Sequence, residues 1–372
     1  ACHADGEENS CGLDGCRPTI NAIMYGEASA LASMARLLAN ETQALRFDEE
    51  AAKWQQVILQ QLWSDELQFF VTKTVNPPRS LHEELVAGRL VTYFGCLACD
   101  PKRTCPPPRG WPHNKQVTVR ELMGLSSPWY FNAVPATPEA AQKYAAGFAQ
   151  LRDAEGFGAE WGPRTCERRH ACYNFSNNAQ CNWNGGSWPF ETSKVGTALI
   201  NLLNNYPPQP HADAADFVRL LAGYARAHTR SNAVESAPPH IDEDIHPDDG
   251  YWITRRKLFA NAGDPLKNRG EHYFHSSYCD LVLAGLVGMQ APTDGERAKG
   301  ALFVVNPLVG DLQAAAVEWF AATDIMFHGH QVSVVYDRDG EHYQEGRGLH
   351  VWVNNRKVVT VSPLKRFVYI PS

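Results

Sequence analysis

"RPTINAIMYGEASALASMARLLAN", residues 17–40, is the stretch whose reading decides the fold. Its apolar residues Ile20, Ile23, Met24, Ala28, Leu31, Met34, Leu37 and Leu38 recur at the intervals of one helix face, with Thr19 as the cap. "DEEAAKWQQVILQQLW" (48–63) repeats the pattern, with Asp48 as cap and Val57, Ile58, Leu62 and Trp63 on one side. Two amphipathic helices with a short link between them make a helical hairpin. The same spacing predicts further helices near 79–90, 117–126, 137–150, 190–205, 211–229 and 275–289. Between them run long connections, 64–78, 95–116, 153–188 and 231–272, which hold most of the cysteines and many of the tryptophans and carboxylates. A helical frame that carries its chemistry on loops is the expected architecture. After about residue 300 the period changes to two. "HQVSVVYDRDG" alternates and ends in the hairpin signal Asp339-Gly340, and "LHVWVNNRKVVTV" reads as a second hairpin around Asn354-Asn355. The chain therefore divides into a helical domain, 1–299, and a small antiparallel β domain, 300–372.

Composition narrows the function. The 372 residues carry a formal charge of -7 and no basic cluster, which argues against a nucleic-acid partner. No run of apolar residues is long enough to span a membrane. The chain begins at Ala1 without methionine or signal peptide, so we expect a processed or trimmed polypeptide. Ten cysteines lie mainly in irregular, Pro- and Gly-rich stretches. Cys96-x-x-Cys99 fits zinc or a redox pair, but the general pattern fits disulfides pinning long loops in an oxidising compartment. The sequons at Asn40 and Asn174 agree with secretion and glycosylation. No Gly-rich phosphate loop occurs, so no nucleotide cofactor is expected. "HGH" (328–330) reads as surface histidines before a strand rather than a metal pair. "FHSSYCD" (274–280) lacks the Gly-flanked turn of a serine nucleophile, which leaves His275 as a pocket residue. No metal is expected.

"CNWNGGSWPFETS" (181–193) sets Trp183 and Trp188 beside Asn184 and Glu191 on a backbone kept irregular by Gly185, Gly186 and Pro189. Buried amides need partners and exposed indoles are wasteful, but a sugar ring uses both: aromatic plates for its C–H face and amides for its hydroxyls. Two acid-rich loops accompany this stretch. "HADGEENSCGLDGCR" (3–17) carries Asp5, Glu7, Glu8 and Asp14, and "HIDEDIHPDDGYW" (240–252) carries Asp242, Glu243, Asp244, Asp248 and Asp249. Cleaving a glycosidic bond takes one carboxylic acid and one carboxylate, and each loop is able to supply one. Solvated turns are the competing explanation for such loops, and Asp248-Asp249-Gly250 reads as one.

Four segments resemble, in order, the motifs of the six-hairpin glycosidases, namely trehalases and glycoside hydrolase family 63. "ENS" (8–10) resembles their Asp-Asn-Ser, and "TINAIMYGEASALASMA" their Asp-Leu-Asn-Ala helix. "WNGGSWP" resembles Trp-x-Gly-x-x-Trp, and "IDEDIHPDDG" resembles Glu-Asn-Tyr-x-Pro-x-x-Gly. The resemblance implies an (α/α) toroid and an inverting hydrolase without a cofactor. It carries the general base onto Glu243 and the general acid onto Glu8, with Asp5 and Asp14 as alternatives. Asp14 stands three residues before Arg17, close to the family's acid-to-arginine spacing. It carries sugar contacts onto Trp183, Asn184, Trp188 and Glu191, with Arg17, Tyr25 and His275 around them. A toroid needs more helices than the sequence shows, so an incomplete ring is expected, finished by an upstream fragment or a second chain. Two other functions stay open: a polysaccharide lyase with a tyrosine or histidine base, and a carbohydrate-binding or structural glycoprotein that keeps the fold without turnover.

Overall fold

The computed structural model describes residues 10–12, 15–74, 115–173, 183–228, 241–254, 256, 277–311 and 315–371. The helices are α1 (Pro18–Leu37), α2 (Glu41–Val57, continued by a π turn through Leu62), α3 (Leu122–Tyr130), α4 (Pro138–Tyr144, continued by a 3-10 turn to Leu151), α5 (Pro189–Asn205), α6 (Ala214–Ala227), α7 (Tyr278–Leu281) and α8 (Asp294–Arg297). The expected helix at 79–90 lies outside the described residues. The chain separates into two compact units, 1–212 with 223–275, and 213–222 with 276–372.

In the first unit α1 and α2 form the expected hairpin, but the face differs in part. Pro18, Thr19, Asn21, Ala22, Ala28, Ala32 and Ala35 of α1 and Ala44 and Ala51 of α2 are buried; of the expected apolar face Ala28 is buried, whereas Met24, Leu31, Met34, Leu37 and Leu38 are exposed. Small side chains let the two backbones approach closely, and the larger apolar residues remain outside that contact. The caps differ too. Pro18 starts α1 after an extended Arg17, and Asn40 rather than Asp48 caps α2, its Oδ1 accepting the Gln43 N–H at 3.2 Å. A helix starting at Asn40 leaves Asp48 in mid-helix.

α3 is buried almost throughout and lies against α5. It begins at Leu122, not 117, because Glu121 is extended and bridges Cys166. Asn201 of α5 donates to the Trp129 and Tyr130 carbonyls (3.0 and 2.9 Å), satisfying the orphan C=O groups of α3. Short strands complete the unit: β1 (Gly15–Cys16) pairs with β4 (Lys73–Thr74), and β2 (Trp63–Ser64) with β3 (Phe69–Phe70).

The second unit contains the expected antiparallel sheet. β9 (Trp319–Phe327), β10 (His330–Asp337), β11 (Gly348–Val353) and β12 (Arg356–Val361) form a sheet in the order β12-β11-β10-β9. β5 (Met289–Gln290), β6 (Phe303–Val305) and β13 (Phe367–Tyr369) form another, with β6 central; β7 (Gly310–Asp311) and β8 (Ala315–Ala316) pair separately. One apolar core joins the two larger sheets: Met289, Phe303 and Val305 with Phe320, Val332, Val334, Leu349 and Val351. Asn354 and Asn355 take φ of 51° and 63°, the left-handed pair of the expected two-residue turn. His328 and Gly329 make the same kind of turn between β9 and β10, which accounts for "HGH". Asp339-Gly340 makes no such turn. Residues 338–347 form a long connection, because the buried Asp337 carboxylate gathers three N–H groups from it: Gly340 (3.0 Å), His342 (2.9 Å) and Tyr343 (2.8 Å).

Not every cysteine is paired. Cys11 bridges Cys172 across 161 residues, and Cys16 is also in a disulfide. Cys166 is a buried free thiol and Cys279 an exposed one. Cys2, Cys96, Cys99, Cys105 and Cys181 lie outside the described residues.

Candidate active site

The tryptophan loop and the second acidic loop are hydrogen-bonded to each other. Ser187 gives its N–H to Ile245 (2.9 Å) and takes the Ile245 N–H in return (2.8 Å), and Ile245 bridges onward to Trp252. Thr165 holds the loop from another side: its Oγ1 donates to the Gly186 carbonyl (2.9 Å) and accepts the Gly185 N–H (3.1 Å). The turn after Ile245 closes with the Gly250 N–H on the His246 carbonyl (2.9 Å). Gly250 has φ of 72°, and a Cβ there would lie 2.4 Å from the Trp161 ring. Only glycine fits, which gives "HPDDG" a structural reason.

This framework separates the three acids of "DED". Asp242 and Asp244 are both 1% exposed, and Asp244 spends Oδ1 on the Thr254 N–H (2.9 Å) and its carbonyl on the Ile253 N–H (2.9 Å). Glu243 is part-exposed between them, at a bend in the segment. The turn beyond is braced by Arg164, itself buried, which pairs with Asp248 and donates Nε to the Tyr173 hydroxyl (3.2 Å). His246 stacks on Tyr251 at 4.8 Å, and burial pushes its imidazole below its usual pKa, so it is neutral near pH 7.

Trp183 and Trp188 are buried, at 6% and 3% exposure, and stack on each other at 4.2 Å and 12°. Each indole gives one face to the other. Asn184 is buried beside them. Glu191, in the first turn of α5, is buried with Ser126 Oγ donating to it and Lys194 Nζ at 2.6 Å. Its negative charge sits favourably at a helix N-terminus. Tyr25 is half-buried on α1, and Asn40 is an exposed cap.

The first acidic loop is fastened on both sides of Asp14. Glu121, 5% exposed, accepts the Gly12 N–H (2.7 Å) and faces Arg17 at 3.7 Å. A Cβ on Gly12 would lie 1.8 Å from the Glu121 carboxylate. Arg17, 2% exposed, also donates to Ser10 Oγ (2.7 Å). Cys11 is bonded to Cys172, and Gly15 pairs with Thr74. Asp5, Glu8, Asp14, His275 and Asn174 themselves lie outside the described residues. Sequence reading missed Glu121, Arg164 and Thr165. Glu121 left one sign, a carboxylate inside the apolar "VTVRELMGL". Among the described residues, Cys11, His170 and Cys172 form the one cluster with metal-ligand geometry, and its two sulfurs are spent on the disulfide.

Residues 1–276 match the model of the mannosylglycerate hydrolase MGH1-like glycoside hydrolase domain, and the chain belongs to that family. This match also shows the six-hairpin glycosidase kinship that the four motifs imply. No curated protein matches the chain. A solved structure named as a sialidase superposes with a TM-score of 0.74 at 27% identity, over 98% of this chain and 28% of that one. The chain thus spans well under a third of that neighbour's length. The protein carries a glycoside hydrolase-like helical domain followed by an antiparallel β unit. No helix among the described residues is long and apolar enough to cross a membrane.

Proposed function

We propose that the protein is an inverting glycoside hydrolase in which Glu243 activates water and an acid of the first loop protonates the leaving oxygen. The carrying observation is the separation within "DED": two buried aspartates, Asp244 held by the Thr254 and Ile253 N–H groups, and a part-exposed glutamate between them, on a loop paired to the tryptophan loop. A base needs to be ionised and within one water of the anomeric carbon, and a part-exposed carboxylate on a hydrogen-bonded loop is open to the water it would activate. Asp14 is the favoured acid, since Gly12 and Gly15–Arg17 on either side of it are the fastened parts of its loop. Trp183 and Trp188, buried and stacked on each other, support the loop that is paired with the loop of the base.

The substrate is an oligosaccharide or polysaccharide. The family's name makes a mannosyl glycoside the first compound to assay, and the neighbour's name a sialoside the next. The helical hairpins belong, in this reading, to an (α/α) toroid, completed by a further segment or chain. Its cysteine pairs and sequons support secretion. The lyase alternative loses ground at the two acid-rich loops, whose carboxylates would repel a uronate. Proton NMR of the newly released sugar is the test. Inversion gives first the anomer opposite to the substrate's, and retention at the anomeric centre would refute the water-activating role of Glu243.

A further inference from the structure

The β10–β11 connection is far more ordered than a loop that only reverses the chain needs to be. Residues 338–347 fold back beside the four-stranded sheet and are held at four places. The Asp337 carboxylate takes three of the segment's N–H groups. Gly346 O lies 2.7 Å from His350 Nε2; a carbonyl only accepts, so that nitrogen donates, and Nδ1 lies 3.0 Å from the Thr360 hydroxyl. Glu345 pairs with Lys357 at 2.5 Å. His342 lies flat on Trp319, centroids 3.7 Å apart and planes 5° apart. Gln344, at φ 59°, takes a conformation unfavourable for a side-chain-bearing residue, as do many residues at binding sites. Burial raises the Asp337 carboxyl, but the N–H donors of Tyr343, Gly340 and His342 outweigh it and hold it below its usual range, so the clasp stays charged.

The product of this arrangement is an aromatic plate. Trp319 is 47% exposed although His342 covers one face, so its remaining exposure belongs to the opposite face and edge. Tyr343 stands perpendicular beside it, at 6.0 Å and 85°. The exposed Glu318 and Glu341 are chain neighbours of Trp319 and His342 and add negative charge to this segment. A flat, fixed indole suits the C–H face of a neutral sugar. The same carboxylates would repel the phosphates of a nucleic acid, and uronates likewise. We propose that Trp319, His342 and Tyr343 form an accessory glycan-binding platform on the β unit, for neutral hexopyranose chains. The inference does not depend on the hydrolase reading.

Affinity electrophoresis through gels containing glucomannan or galactomannan tests it, together with quenching of tryptophan fluorescence by cellohexaose and mannohexaose. The expected result is retardation of the native chain in at least one gel. Trp319→Ala should weaken it about tenfold or more, the size of one lost stacking contact. Trp319→Tyr, which keeps a flat ring, should retain much of it, and this guards against loss through misfolding. Turnover of a short soluble substrate should be unchanged in both variants. Undiminished retardation of Trp319→Ala, or no retardation of the native chain in either gel with no quenching, overturns the proposal. A hydrolase reading that fails would leave these outcomes untouched.

Discussion

Replacing Glu121 by alanine is the perturbation that the buried network makes most consequential. The carboxylate is 5% exposed, takes the Gly12 N–H at 2.7 Å and faces the 2% exposed Arg17 at 3.7 Å. Truncation removes one counter-charge from a buried guanidinium and the acceptor from a buried amide. Breaking one partner of such a pair typically costs about 3–5 kcal/mol. In a domain of this size each kcal/mol is worth about 2–4 °C, so the melting temperature should fall by about 6–20 °C. Glu121→Gln keeps an acceptor for Gly12 and drops the charge, so its loss should be smaller, about 1–3 kcal/mol. Thermal unfolding followed by circular dichroism measures both. Because the two hydrogen-bonded ends bracket Asp14, turnover of Glu121→Gln should fall more than its apparent substrate affinity. A Glu121→Ala variant that melts within about 2 °C of the native chain would refute the claim that this pair anchors the loop.

Three other outcomes follow from single contacts. Gly250→Ala would force a methyl to 2.4 Å from the Trp161 ring at φ 72°, so it should lose about 2–4 kcal/mol in urea unfolding, whereas Gly186→Ala, meeting Ile253 at 3.2 Å, should lose less. Glu296 is held at about 2 by the Arg366 guanidinium, against an ordinary 4.5. Its stabilisation is therefore complete above about pH 4.5 and is lost as pH falls toward 2; Glu296→Gln should remove about 1 kcal/mol of the acid-induced loss, a modest figure because the pair is partly exposed. A thiol reagent on the native, unreduced protein should label exposed Cys279 and spare Cys166, whose thiol burial pushes far up; denaturant should release Cys166.

The parts of the fold that periodicity governs were legible. The α1–α2 hairpin, the helix from Pro189 and the Asn354-Asn355 turn each rest on local chemistry. Faces were less legible. The large apolar residues of 17–40 indicated one face, but the hairpin closes on alanines, because close approach of two backbones selects for size rather than hydropathy. Asp339-Gly340 looked like a tight turn because a sequence does not show that Asp337 will draw the next residues into a longer one. At the site, "WNGGSWP" and "EDIHPDDG" could be read as separate motifs, yet their pairing through Ser187 and Ile245 is tertiary. Glu121 and Arg164 were invisible for the same reason: their ion pairs join residues 104 and 84 positions apart, the buried Arg17 to Glu121 and the buried Arg164 to the exposed Asp248.

The central claim is that Glu243 is the base, and turnover by Glu243→Gln tests it most directly. The substitution keeps size and removes charge at a part-exposed position, so the fold should melt as the native chain does. With the substrate identified by a reducing-sugar screen, turnover should fall by about 100- to 10,000-fold while sugar binding persists. Asp249→Asn, six residues on in the exposed turn, should leave turnover nearly unchanged. A Glu243→Gln variant that folds normally and keeps most of its activity would contradict the account.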